Sequence, residues 1–443
     1  MIYFVKLHQR TGEYPENEHG RVFSPDHVHF PKSFCPPQVQ VFFPARLKVE
    51  RSEDPAQRGQ GQILEGTMKN LFNFKKVQPI PAGVFQKQSA LPDQPPYRIH
   101  LRLQGDGTGV LIVNAATVLH LNPTAAEYAY HFIKGTAPED AAKEVSARYR
   151  VNKATALQDF RDFADRIQTL VTTPDLDPVS YLDFERVAPH STALTAPLRL
   201  DCALTYRLRP GTQAEYAPTK RVDRELTTEE WITILDKAWL VGIPHVTFTG
   251  GEATLRTDLP DLIARAEKNG QVCGLLTDGL MFDSKEKLDL LLQTGLDHIL
   301  FILQSSNALS WRALENVMPA DIFVTVHFTV TKENASEANA TLERLAALGV
   351  KSLSLTFADP QLPTVELRNK AANLGLALKF DLPVPYSAEH AVAQETADDH
   401  VPDGAGKAWL YVEPDGDVLP AQGMADKVLG NFIRDPWERI YRV

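Results

Sequence analysis

The sequence predicts an α/β protein: a partial (βα)6 TIM-like barrel, preceded by a small winged-helix unit and followed by a short C-terminal domain. Three observations lead to that expectation. From Arg199 onward strand-like and helix-like stretches alternate, the pattern of parallel strands joined by crossover helices. Between Tyr97 and Val171 three short strands precede three amphipathic helices. The length, 443 residues, is too great for one small core and leaves room for several units. The expected boundaries are an extension over 1–84, a winged-helix unit over 85–171, a linker over 172–196, the barrel over 197–385 and the C-terminal domain over 386–443.

Composition narrows the class. Hydrophobic residues at 43% and charged residues at 23% suit a globular protein. A net charge of -10 argues against a broad nucleic-acid-binding face, which needs an excess of Lys and Arg. Apolar stretches such as Ile299 to Leu303 are far shorter than the roughly 20 residues of a membrane-crossing helix, so no membrane span is expected. The first residues lack a basic region leading into an apolar stretch, so a cytoplasmic location is expected. Cys35, Cys202 and Cys273 are the three cysteines, odd in number and far apart, which fits a reducing compartment better than a disulfide framework.

Each element has a local reason. The extension is rich in Pro, Gln and His with short apolar runs such as Val39 to Phe43; its His27, His29 and Cys35 lack the fourth ligand and paired spacing of a metal site. Ile99, Leu101 and Leu103 alternate onto one face of a strand, Gly105 to Gly109 turn the chain into Val110 to Val113, and Thr117 to Leu121 form a third strand. Asn122 or Thr124 then caps a helix with Pro123 in its first turn. Helices are expected at Thr124 to Lys134, Pro138 to Tyr149 and Lys153 to Val171, with Thr136 and Glu139 at capping-box spacing before the second. Pro174, Pro178 and Pro189 mark the linker.

In the barrel the expected strands are Arg199 to Arg207, His245 to Thr249, Cys273 to Thr277, His298 to Leu303, Ile322 to Val330 and Ser352 to Phe357. Helices lie between them at Thr227 to Leu240, Asp258 to Lys268, Ser284 to Gln293 and Ala335 to Leu348. Thr227 and Glu230 form a capping box, and Trp231, Leu235, Ala238 and Trp239 recur at helical spacing.

Candidate site residues gather at strand ends, where parallel barrels place their chemistry. The run from Thr247 to Arg256 ends the second strand with Thr249, Gly250, Gly251 and Glu252, and paired glycines let a ligand approach the backbone. A plain strand-to-helix turn would use the same glycines, with Glu252 paired to an arginine such as Arg256. Thr277, Asp278 and Gly279 end the third strand, and Gln304 and Ser305 the fourth. His245, His298 and His327 read as hydrogen-bonded core histidines. Asp415 and Asp417 read as a turn about Gly416.

Several of these stretches resemble a known family. Val113 to Asn122, followed by Thr124 to Tyr128 and the helix pair, is similar to the PqqD-like domain, a peptide-recognition element of enzymes that mature ribosomally made peptides. That resemblance implies a leader peptide adding a strand to the edge of the three-stranded sheet. Thr247 to Arg256, with Asp258 and Leu259, resembles the Gly-Gly-Glu element that holds the amino group of S-adenosylmethionine in radical SAM enzymes, and Thr277 to Gly279 resembles that family's Thr-Asn-Gly. The implied cofactor-binding residues are Thr249, Gly250, Gly251, Glu252, Thr277, Asp278, Gly279 and Ser305. Asp403 to Gly406, Tyr411 to Gln422 and Leu429 to Asn431 resemble the auxiliary-cluster domain, called SPASM or twitch.

The departure from the family lies in its cysteines. Radical SAM enzymes carry CxxxCxxC and then an aromatic residue after the first barrel strand. Anchored on Arg207 and Tyr216, the match puts Leu208, Thr212 and Glu215 at the three ligand positions, and Asp403 and Ala421 at two auxiliary ones. Soft thiolates hold iron-sulfur clusters; leucine cannot ligate and threonine ligates poorly. Cys202, six residues before Leu208, reads as a small buried hydrophobe. The expectation is a non-radical accessory or pseudoenzyme of ribosomal-peptide or PQQ-like maturation. It would bind a leader or precursor peptide, or a cysteine-complete radical SAM partner, without the 4Fe-4S cluster expected for the family. One alternative is an S-adenosylmethionine-binding enzyme with non-radical chemistry, lined by Glu215, Tyr216, Thr249 and Glu252; another is the active radical SAM enzyme that fold alone suggests.

Overall fold

Alternation from Tyr97 builds the centre of a five-stranded sheet of order β1-β5-β4-β3-β2. Its strands are β1 (Phe42–Phe43), β2 (Gly83–Ser89), β3 (Tyr97–Leu103), β4 (Gly109–Val113) and β5 (Thr117–Leu121). The computed structural model describes residues 42–43, 80–89, 97–149, 151–173, 176, 178–182, 194–359, 361–379, 383–392 and 401–442. His27, His29, Cys35 and most of the expected linker lie outside the described residues.

The three strands expected from alternation are flanked on both edges. β2 runs antiparallel to β3 along its whole length, and β1 pairs in parallel with His120 and Leu121 of β5. β2 escapes a sequence reading because Val84 and Phe85 are adjacent rather than alternating, and only the pairing with β3 makes it a strand.

Three helices cover one face of this sheet. α1 (Pro123–Lys134) is capped by Asn122, whose side chain accepts from Ala125 N, and ends where Gly135 turns left-handed at φ 67°. α2 (Pro138–Arg148) lacks the expected box: the N-cap is Ala137, so Glu139 falls one position too early, and the Thr136 hydroxyl bonds the His131 ring instead. α3 (Lys153–Thr172) is capped by Asn152. Ile99, Leu101, Leu111 and Leu119 pack there against Ala126, Phe160, Phe163 and Ile167. A short α4 (Pro178–Leu182) follows.

The other face of the sheet meets the barrel. The barrel's parallel strands are β6 (Arg199–Thr205), β7 (His245–Gly250), β8 (Val272–Thr277), β9 (His298–Ile302), β10 (Phe323–Val330) and β11 (Ser352–Phe357), joined by α5 (Thr228–Leu240), α6 (Leu259–Asn269), α7 (Lys285–Gln293), α8 (Ala308–Val317) and α9 (Ala338–Ala347). After α10 (Thr364–Asn373), β12 (Ala377–Lys379) pairs outside β11, whereas β13 (Trp409–Val412) returns to pair in parallel with β6. β14 (Asp417–Leu419) and β15 (Gly430–Asn431) continue antiparallel, and α11 (Trp437–Ile440) closes the chain. The ten strands form one open sheet of order β12-β11-β10-β9-β8-β7-β6-β13-β14-β15, a partial TIM-like barrel.

Most expected boundaries shift by one or two residues. β6 ends at Thr205, two residues before the expected end at Arg207, because the Thr205 and Arg207 carbonyls accept from Gly251 N and Glu252 N across the turn. The expected Ala335 to Leu348 helix opens as a 3-10 turn over Ala335–Glu337. Thr227 and Glu230 do form the capping box of α5.

Alternation sorts the barrel residues. Leu200, Cys202, Leu204, Val246, Phe248, Cys273 and Leu275 pack outward against the helices. The inner face carries polar groups instead: Asp201 accepts from Arg199 and Thr247, the His245 and His298 rings meet at 2.7 Å, and His327 bonds Ser354 and Thr329.

The small sheet docks on the ends where the strands begin. Arg98 of β3 pairs with Asp297 and Glu267, and Arg102 donates to the carbonyls of Ala196 and Pro197. His100 stacks edge-on against Trp239 at the end of α5, and Val110, Ile112 and Val118 pack on Leu194 and Leu198.

Candidate functional site

At the opposite ends of the strands the chain builds a corner around Glu252. Gly250 has φ 123°, and any Cβ there would strike the Thr205 carbonyl; one on Gly251 would strike that of Arg207. Both glycines are therefore required by backbone packing under the end of β6, with Gly251 N to Thr205 O at 2.8 Å and Glu252 N to Arg207 O at 2.9 Å. The close approach expected of a ligand is made by the protein's own main chain.

That turn drives Glu252 inward, where it is 3% exposed. One carboxylate oxygen accepts from Thr254 N at 3.0 Å, from the Thr254 hydroxyl and from the Thr277 hydroxyl at 2.7 Å; the other accepts from Asp278 N at 2.8 Å. Arg256 is not its partner, contrary to the simple-turn expectation: its guanidinium is spent on Asp258. Burial, aided by the Asp278 charge, pushes Glu252 up to about 7, against the opposing pull of Arg209.

Asp278 faces outward from the same corner. Its carboxylate takes a two-pronged grip from Arg209, whose Nη2 lies 2.8 Å from one oxygen and 3.2 Å from the Thr254 hydroxyl. It also accepts from Leu280 N at 2.9 Å, and Gly279 N donates to the Thr277 hydroxyl at 3.0 Å. The Thr249 hydroxyl is buried at the end of β7 with no hydrogen-bond partner among the described residues.

Other expected site residues lie apart. Ser305 contributes its carbonyl to Trp311 Nε1 rather than a side chain to the corner. Leu208 packs against the cluster of Ala203, Tyr206, Tyr386 and Tyr411, Thr212 closes a turn onto the Arg209 carbonyl, and Glu215 is exposed on a 3-10 turn. Cys202 and Cys273 are fully buried in the outward-facing core, where burial drives both thiols well above their ordinary range. In the C-terminal region Gly406 N donates to Pro420 O at 2.9 Å, which brings the Asp403 and Ala421 segments side by side; Asp403 is exposed and Ala421 buried.

Three features were invisible in the sequence. Arg209 and Asp278 are 69 residues apart and share no local pattern. Residues 383–392 cross the strand ends: Val384 fits among Leu276, Leu300 and Ile302, and Tyr386 N donates to Gly250 O at 2.8 Å. Beside them Glu413 accepts from Tyr206 at 2.8 Å and from Arg221 at 2.6 Å, while Arg221 also donates to the Tyr386 hydroxyl.

Residues 202–367, from β6 through the start of α10, match the sequence profile of the Radical SAM superfamily. The barrel is a radical SAM domain. The chain is 28% identical over 252 residues to a PqqA peptide cyclase of Streptomyces rochei, covering 50% of this chain and 68% of the relative. It is 27% identical over 176 residues to a PqqA peptide cyclase of Granulibacter bethesdensis, covering 36% of this chain and less than half, 46%, of that protein. In fold it is similar to Streptococcus suis SuiB, with a TM-score of 0.50 at 15% identity over 77% of this chain and 87% of SuiB. A structure of SuiB bound to S-adenosylmethionine gives the same TM-score at 13% identity, over 80% of this chain and 88% of that one. The chain is thus similar over its barrel to radical SAM proteins and, over half of its length, to a PqqA peptide cyclase. Among the described residues no helix is long and apolar enough to cross a membrane.

Proposed function

We propose that this chain is a peptide-maturation protein without iron-sulfur radical chemistry, an accessory that binds a leader or precursor peptide and presents it to a cysteine-complete radical SAM partner in the cytoplasm. The observation that carries this reading is the placement of its thiols. Both described cysteines point into the helical layer, and Cys35 lies outside the described residues. On the motif match, the loop after β6 offers Leu208, Thr212 and Glu215 where a cluster needs three thiolates. One exposed carboxylate and a hydroxyl do not fit an iron-sulfur cluster, and Asp403 and Ala421 do not fit an auxiliary one.

Peptide binding is supported by the small sheet. Phe42 and Phe43 pair with β5 only at His120 and Leu121, so the outer edge from Thr117 to Leu119 has no strand partner among the described residues. An extended peptide adding there would gain main-chain bonds.

The test is anaerobic reconstitution of the purified chain with iron and sulfide. The preparation should stay colourless and hold no stoichiometric iron. A cluster absorbance band together with cleavage of S-adenosylmethionine overturns the proposal.

A second reading, an S-adenosylmethionine-binding protein with non-radical chemistry, is favoured by the buried Glu252 carboxylate and by the buried Thr249 hydroxyl at the end of β7, which has no hydrogen-bond partner among the described residues. Here Thr249, Glu252, Thr277 and Asp278 would hold the amino-acid end of the ligand. Calorimetric titration with S-adenosylmethionine separates the two readings.

A further inference from the structure

Strand β5 has two main-chain sides. One is filled along its whole length by β4, from Val113 opposite Thr117 to Gly109 opposite Leu121. The other carries β1, which pairs Phe42 with His120 and Phe43 with Leu121. The edge on which an incoming peptide would add is thus already held, at two of its five positions, by the chain's own N-terminal region. A main-chain group bonded to one strand is not free to bond a second. A peptide confined to Thr117–Leu119 finds three residues of edge, and gaining His120 and Leu121 requires β1 to leave.

Three observations mark β1 as an exchangeable strand rather than part of the frame. Its ladder covers two residues, against seven between β2 and β3 and five in each of the other two pairs, so it is the weakest seam of this sheet. It runs parallel to β5 whereas those pairs are antiparallel, and parallel pairing is slightly less stable per residue. Its sequence also limits its length. Gln38 to Phe43 is an uncharged run holding Val39, Val41 and two phenylalanines, bracketed by Pro37 and Pro44. Such a run favours a strand, and prolines have no N–H to give a ladder, so the bracket cuts out a piece about as long as β5.

We propose that β1 is a built-in competitor at the peptide-binding edge: the segment around Phe42 and Phe43 occupies β5 in cis and gives way when a longer peptide strand takes its place. The proposal rests on the reading of β5 as that edge. A strand on the same chain competes at an effective concentration on the order of 1 mM, which is how a short ladder holds the edge against a far more dilute peptide. Peptide uptake becomes a strand exchange. The affinity of the intact chain is then reduced in proportion to the fraction of molecules whose edge is free.

The test uses the full-length chain and two full-length variants. Phe42→Pro with Phe43→Pro removes whichever N–H faces β5, and Phe42→Gly with Phe43→Gly keeps both N–H groups but lowers the preference for a strand. Unchanged amide exchange across Tyr97 to Leu103 checks that each variant is folded. The probe is a fluorescein-labelled synthetic peptide spanning Pro36 to Leu47 of this sequence, titrated by fluorescence anisotropy, with amide exchange read across Thr117 to Leu121. Both variants should bind it at least about tenfold more tightly than the unaltered chain, as expected when β1 is in place about nine-tenths of the time. Exchange at β5 should be faster in the free variants and slow again with the probe bound. Equal affinity for all three chains, with the probe protecting β5 in each, overturns the proposal and leaves β5 as a peptide-binding edge. Faster exchange at β5 in variants that bind no probe shows an open edge that takes no strand, which overturns the proposal together with the reading beneath it.

Discussion

His100, His298 and His327 are buried, and burial pushes each imidazole down to about 3; His390 falls to about 4, and His245 lies well below its ordinary value. An unfolded histidine titrates near 6.5. The stability gained by keeping these rings neutral is therefore complete above that value and is lost as pH falls toward the folded values. Glu252 works in the opposite sense. Its folded value of about 7 exceeds the ordinary 4.5, so its contribution is greatest below that ordinary value and is lost as pH rises through 7. Burial also raises Asp297, Glu413, Asp415 and Asp159, but these carboxylates are outweighed by the five buried histidines, so unfolding free energy should fall from pH 7 to pH 5. His327→Gln removes one such term, and urea titrations at the two pH values should show the drop shrink by about 2 kcal/mol. A drop unchanged by the substitution would mean that His327 is protonated in the folded chain. Glu252→Ala should deepen the drop by a similar amount, about 2 kcal/mol, because the opposing term is gone.

The sheet and barrel are joined by strand β3, whose Arg98 holds Asp297 while Asp297 in turn accepts from Cys273 N at 2.8 Å. Arg98→Ala leaves Asp297 largely buried without its cation, and the expected loss is about 3 kcal/mol in urea denaturation at pH 7. Lys at this position should recover only part of it, since one ammonium cannot reach both Asp297 and Glu267 with the geometry of the fork. None of this contact was legible in the sequence, where Arg98 is an ordinary polar residue of an alternating strand. What was legible has local causes. β3, β4 and α5 follow from alternation, a glycine turn and a capping box within a few residues of one another. β2 and the partners of Glu252 were missed because each depends on residues far away in the chain: Leu101 for Phe85, Thr277 for Glu252. Of the two readings of Gly250 and Gly251, the strand-to-helix turn accounts for them, because the backbone that approaches is the protein's own, which sequence does not reveal.

Among the described residues, the contacts of the small sheet with Ala196, Leu198, Trp239, Glu267 and Asp297 fall where barrel strands begin, whereas Glu252 and Asp278 lie where strands end. A strand of six residues such as β8 spans about 20 Å. A peptide held along β5 thus starts at the far end from the corner and must run outside the barrel for well over six extended residues to reach it. Presentation of that peptide to a separate partner needs no such detour, which favours the accessory reading on geometry. The arrangement also makes the two ends energetically independent unless β8 couples them, since Cys273 N is tied to Asp297 at one end and Asp278 to Arg209 at the other. A double-mutant cycle of Arg98→Ala and Arg209→Ala decides this. The two losses in unfolding free energy should add within about 0.5 kcal/mol, as expected for sites without shared partners. An interaction energy above about 1 kcal/mol would show that β8 transmits strain along its length.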